Sequence, residues 1–180
     1  MPDLVSENQT AFLNHRFISE GGRLIDDLLE LTDIYNKKGF LVTIDIEKAF
    51  DSVNHIFIIK VLESFGFGYS FIQWIKILLK GQESCIINGG KTSQYFKLER
   101  ETRQGDPISA YLFILVLEIV FLSLKQNKNM KGIELFQHEF LYTAYADDTT
   151  FFLKDKNSVI LLFDVFRNFS LFFGLKPNKM

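Results

Sequence analysis

The sequence predicts an α+β fold, an antiparallel sheet with helices packed on one face. Three observations carry this: short β-branched and apolar runs, longer segments with apolar residues at helical spacing, and no strict strand–helix alternation such as a doubly wound sheet requires. With 180 residues, 47% of them apolar, the chain can bury one core, and its length favours a single domain. No internal repeat or low-complexity tract divides it.

The elements follow in order. Residues 20–38 carry Leu24, Ile25, Leu28, Leu29 and Leu31 at helical spacing, with Gly39 as the stop. "FLVTIDI", residues 40–46, reads as a buried strand. Residues 55–65 and 70–80 are helical in pattern, and Gly66 and Gly81 stand where C-terminal caps belong. "SCIINGGKTSQYFKL" reads as two short strands around an Asn88-Gly89 turn. Asp106 as cap and Pro107 in the first turn open a long apolar helix. Its run "YLFILVLEIVFLSL" is shorter than the roughly 20 residues of a bilayer span and contains Glu118, which makes it a core helix. Residues 133–153 read as strands with Asp147-Asp148 at a turn, and an amphipathic helix over 158–172 ends at Gly174.

A formal charge of −2 argues against a simple electrostatic nucleic-acid binder. Local basic patches stay compatible with it, for example around Lys91, Lys97, Arg100 and Arg103. The single cysteine, Cys85, excludes an internal disulfide. With no charged-then-apolar N-terminal signal in view, the expected setting is reducing and intracellular, with no membrane partner. Twenty phenylalanines are read as compositional drift and carry no mechanism.

Chemistry enters through "TAYADDTTFFL". Paired aspartates at a turn are ordinary, because both residues favour turns and solvate well. Here Tyr142, Ala144, Phe151, Phe152 and Leu153 make the flanking strands too apolar for a wholly solvated hairpin. Two carboxylates beside a packed sheet repel one another unless a cation lies between them. Asp45, near the end of the first strand, is either a cap of the following turn or a third ligand. If its strand lies beside the hairpin, three carboxylates converge at one sheet edge. Hard oxygen donors without His or Cys suit Mg²⁺ held partly through substrate phosphates. Two such ions can activate an attacking hydroxyl and stabilise a leaving oxygen.

"IDIEKAFDSVNH", "RQGDPISAYLFILVLE", "YADD" and "GLKPN" resemble, in order and spacing, the palm motifs of reverse transcriptases, most of all those of non-LTR retrotransposons. "QTAFLNHRFISEGGRLIDDLLE" is similar to the segment that precedes the palm in that family, so the resemblance runs from Gln9 to the C-terminus. It implies a reverse transcriptase domain over 1–180, with 1–39 leading into a palm core at 40–180 and with fingers and thumb incomplete. The implied activity is RNA-directed DNA synthesis from dNTPs, with an RNA template, a DNA primer and the remainder of a retroelement polyprotein as partners. The implied cofactor is two Mg²⁺ ions, with Mn²⁺ able to substitute, held by Asp45, Asp147, Asp148 and the backbone carbonyl of Ile46.

The same resemblance makes Phe50 a gate against the 2′-hydroxyl, although a plain core phenylalanine fits that position too. It sets Gln104 and Gly105 against the nucleotide and template base, and Tyr145 and Ala146 along the primer end. Asp51 is read as a cap for the helix near Ile56, Arg103 as either a phosphate contact or a solvated arginine, and Arg16 and Arg23 as basic positions without a role. The chain departs from the family pattern at His15, Glu101, Ala110 and Phe173, and Lys179 imperfectly replaces a lysine after "GLKPN". A nuclear location is implied by resemblance alone. The rival readings are a group II intron-type maturase, an inactive retroelement relic, and a non-catalytic nucleic-acid-binding module on the same fold.

Overall fold

A computed structural model of the chain describes residues 2–47, 53–98, 106–173 and 176–177. Leu24, Ile25, Leu28 and Leu31 form one apolar stripe on helix α1 (Ile18–Ile34). Glu20 accepts the Phe17 N–H at 3.1 Å and so satisfies a donor at the start of the helix. The helix stops before Gly39. Asn36, at φ 48°, takes the left-handed position after its end. Gly39 serves a close approach instead: a Cβ there would lie 2.9 Å from the Leu153 carbonyl oxygen and 2.8 Å from Ile133 Cδ1.

Strand β1 (Phe40–Ile44) follows, and the chain breaks at Asp45 before the short β2 (Ile46–Glu47). Helices α2 (His55–Ser64) and α3 (Tyr69–Leu79) are each followed by a left-handed glycine, Gly66 at φ 75° and Gly81 at φ 69°, as the sequence predicts. Asn54 caps α2. Its side chain accepts the Ile56 N–H at 2.8 Å, a bond that a residue two positions before the donor is placed to make; Asp51 lies outside the described residues. Strands β3 (Glu83–Ser84) and β6 (Phe96–Lys97) pair around a tighter hairpin of β4 (Ile87–Asn88) and β5 (Lys91–Thr92). The turn of that hairpin is Gly89-Gly90, one residue later than predicted. Two glycines at φ 57° and 75° meet the left-handed demand of both turn positions and leave Asn88 in the strand.

Helix α4 (Pro107–Gln126) opens as predicted, with Asp106 accepting the Ile108 N–H at 3.1 Å and Pro107 in the first turn. At 20 residues it is longer than its apolar run suggests, and by length and composition it could cross a membrane; here it is the core helix, buried through most of its length. The chain then forms the hairpin β7 (Ile133–Leu135) and β8 (His138–Phe140), strands β9 (Tyr142–Tyr145) and β10 (Asp148–Leu153), helix α5 (Lys156–Phe173) and β11 (Lys176–Pro177).

The main sheet has the antiparallel order β1-β10-β9. Phe40 opposes Leu153 and Ile44 opposes Thr149, while Tyr142 opposes Phe151 and Tyr145 opposes Asp148. Opposed residues share a face, so Val42, Ile44, Tyr142, Ala144 and Phe151 look one way. Helices α4 and α5 pack there: Phe121 stacks on Tyr142 at 4.3 Å and Phe166 meets Phe151 edge-on at 5.9 Å. Phe152 looks the other way, into a small second core with Leu28, Ile133 and Leu135. The α+β class is the predicted one, and α1 adds cover on the second face. Strand β1 is not the buried strand expected. Among the described residues it is an edge strand beside β10, and Phe40 and Leu41 are 39% and 46% exposed.

Candidate active site

The pairing of β1 with β10 fixes where the aspartates lie. The register ends at Ile44 opposite Thr149, so the next residue of each strand, Asp45 and Asp148, comes to the same end of the sheet. Asp147 sits in the turn beside them. That turn is Ala146-Asp147 rather than the predicted Asp147-Asp148, because Asp148 already pairs with Tyr145 as the first residue of β10. Ala146 has φ 54° and Asp147 is not in the left-handed region, so the first turn position takes a conformation that favours glycine.

Asp147 is half-buried, whereas Asp45 and Asp148 are exposed. Burial pushes the Asp147 carboxyl above the usual carboxylate range; a hydrogen bond from its own backbone opposes this, and the negative charges of Asp148 and Asp45 push it further up. Asp148 and Asp45 thus both act on the Asp147 carboxyl as like charges, an effect that a cation would offset. Among the described residues no three His, Cys, Asp or Glu side chains form a ready-made metal cluster. Mg²⁺ does not need one, since it keeps several waters and uses one or two carboxylates together with substrate phosphates. The donor set at this sheet end fits that ion.

Ile46 is buried in β2 and opposes Pro177 of β11, which brings Lys176-Pro177 alongside the first motif. Tyr145, the last residue of β9, is 37% exposed beside the turn, with the Phe12 ring 6.4 Å away. Phe50, Arg103, Gln104, Gly105 and Lys179 lie outside the described residues.

The family model described as reverse transcriptase (RNA-dependent DNA polymerase) matches residues 1–180, the whole chain. The chain belongs to the reverse transcriptase family. This reverse transcriptase chain is 26% identical over 170 residues to the retrovirus-related Pol polyprotein from type-2 retrotransposable element R2DM of Drosophila melanogaster, a match covering 94% of the chain and 16% of that protein. It is 28% identical over 157 residues to the transposon TX1 uncharacterized 149 kDa protein of Xenopus laevis, covering 86% of the chain and 12% of that protein. The chain thus spans a small part of the relatives it matches. Its fold is shared with a structure of telomerase from Candida albicans in complex with the TWJ fragment of telomeric RNA, at TM-score 0.62 and 13% identity, over 96% of this chain and 31% of that one.

Two residues had no role on sequence grounds and acquire one in the fold. Arg16 donates to the carbonyls of Ser6 at 2.6 Å, Gln9 at 2.7 Å and Val5 at 3.1 Å, and so shapes the N-terminal segment. Gln9, fully buried, reaches the aspartate turn itself. No periodicity could reveal a contact between positions 137 residues apart; the one signal was that Gln9 opens the segment similar to the family's pre-palm stretch. Arg23 makes an exposed ion pair with Asp27, at 3.7 Å.

Proposed function

We propose that this chain is the catalytic palm of an RNA-directed DNA polymerase of a non-LTR retroelement, joining dNTPs to a DNA primer on an RNA template. The observation that carries the reading is the meeting of Asp45, Asp147 and Asp148 at one end of the β1-β10-β9 sheet, in a chain of the reverse transcriptase family. Asp45 and Asp147 would hold Mg²⁺, with Asp148 beside them. The Ile46 carbonyl is a further candidate donor, and Pro177 opposite it has no N–H with which to claim it. When bound, the metal pair supplies activation of the primer 3′-hydroxyl and stabilisation of the leaving pyrophosphate oxygen.

The protein's own contribution is placement. The hairpin turn fixes the Asp147 carboxylate, and Tyr145 and Ala146 floor the site where a primer end would lie. Phe50 would face the sugar of the incoming nucleotide, and Gln104 and Gly105 its base pair. In this reading residues 1–39 brace a palm core at 40–180, and the element acts in the nucleus within a larger polyprotein.

The test is primer extension on an RNA template with dNTPs and Mg²⁺, using the chain alone and grafted in place of the matching segment of the Drosophila polyprotein, each beside an Asp147→Ala control. Extension by the graft and not by its control is the expected result. A graft that folds and binds template-primer yet never extends it overturns the reading in favour of a binding module.

A further inference from the structure

We infer that Gln9 is a positioning residue of the aspartate turn, fixing through the backbone of Ala146 the point from which the Asp147 side chain leaves the turn; the inference rests on the proposed metal-binding role of that turn. The side-chain oxygen of Gln9 accepts the Ala146 N–H at 3.0 Å and the Ala11 N–H at 3.0 Å, and its amide nitrogen donates to the Ala146 carbonyl at 3.2 Å. The amide has one workable orientation. Flipping it would turn its NH₂ toward two N–H donors and its oxygen toward a carbonyl.

The consequence lies in which atoms are held. The N–H of Ala146 belongs to the peptide plane it shares with Tyr145, and its carbonyl to the plane it shares with Asp147. One side chain therefore fixes both planes around a residue at φ 54°, a conformation that a residue with a Cβ rarely adopts. Fixing the second plane fixes the Asp147 Cα, the point from which its side chain leaves the turn.

Gln9 is itself held. It bridges in parallel to Ala144, with Thr10 N–H donating to the Ala144 carbonyl and Ala144 N–H to the Asn8 carbonyl, both at 2.8 Å. Arg16 donates to the carbonyl of Gln9 at 2.7 Å. The residue combines complete burial, a rigid seat and a bidentate grip, where filling space would need only an apolar side chain.

The experiment uses the full chain and two readouts: hydrogen exchange of individual amides, and Mn²⁺ affinity by titration. Gln9→Met keeps the length of the side chain and removes its bonds; Gln9→Asn keeps an amide too short to span both Ala146 groups and serves if the Met variant does not fold. Either variant is expected to speed exchange of the Ala146 amide about tenfold or more while Thr143 and Phe151 keep their protection. Either should also weaken Mn²⁺ binding by about 10–100-fold, the usual effect of losing a residue that orients a metal ligand. Asp147→Asn in parallel tests the site itself. If the unmutated chain takes up no Mn²⁺, the proposed site falls, and exchange alone then decides for Gln9. Exchange and Mn²⁺ affinity both at the unmutated level, or a loss of protection spread evenly over the sheet, overturn the positioning role.

Discussion

Glu118 and Ser6 meet across 112 residues of sequence: the buried carboxylate on α4 accepts the Ser6 N–H at 3.1 Å. Lys125 donates to the Ser6 hydroxyl at 2.7 Å and Arg16 to the Ser6 carbonyl at 2.6 Å. Burial pushes the Glu118 carboxyl up, while the Ser6 bond, Lys125 and Arg16 draw it back. This polar knot pins the N-terminal segment to the core helix just before the segment runs along β9 to the aspartate turn.

Glu118→Ala leaves the half-buried Ser6 N–H without its acceptor; a fully buried unsatisfied donor costs about 1–3 kcal/mol, and a half-buried one belongs at the lower end of that range. Urea unfolding should show a loss in that range. Glu118→Gln keeps an acceptor and should cost less; equal losses for the two would mean that the knot contributes charge rather than a hydrogen bond.

Asp147 gives stability a pH dependence of definite sign. Its carboxyl is raised in the folded chain, so the native state binds more protons than the unfolded one from the ordinary aspartate pKa, about 3.9, up to the raised value. Stability from this group is therefore present below that window and is lost as pH rises through it. Without divalent ions at pH 7, Asp147→Asn should melt about 1–2 °C above the unmutated chain, a small rise because the group is only half-buried. The gap should close toward pH 3. A variant that melts lower than the unmutated chain at pH 7 would show that the carboxylate is already paired.

Two glycines should respond in opposite ways to the same substitution. A Cβ on Gly132 would run into the Phe140 carbonyl and lie 2.9 Å from Glu139 Cγ, whose own carboxylate accepts the Gly132 N–H at 2.7 Å. Gly132→Ala should destabilise by about 1–3 kcal/mol through overpacking. Gly22, inside α1, has nothing within 4 Å of its Cβ position, and Gly22→Ala should stabilise by about 0.5–1 kcal/mol. Thermal melts of the two variants check both signs at once.

Local chemistry was readable in the sequence wherever it is local in the fold. The Asp106 cap, the glycines after α2 and α3, and the gathering of Asp45 with the Asp147 pair all follow from short-range pattern or from one strand pairing. What could not be read depends on partners distant in sequence. Strand β1 looks buried from its composition, yet its burial is decided by how many neighbours the sheet gives it. The aspartate turn slips by one residue because cross-strand pairing of Tyr145 with Asp148 outweighs the turn preference of the second aspartate. Gln9 has no local signature, because both of its Ala146 bonds span most of the chain.

Cation binding should reverse the order of stability that the two chains show in EDTA. Burial first, and the like charges of Asp148 and Asp45 second, make Asp147 costly to ionise, and a divalent ion offsets both by attracting the carboxylate. An ion that binds only the folded chain and is present at ten times its Kd adds about 1.4 kcal/mol, or about 3–6 °C for a chain of this size. Mg²⁺ or Mn²⁺ should therefore raise the melting temperature of the unmutated chain well above its value in EDTA. Asp147→Asn starts higher in EDTA and should gain much less, so the two melting temperatures cross as the ion is titrated. Parallel curves at every ion concentration would mean that the ion binds elsewhere on the chain, and a flat response in both would remove the metal from the site altogether.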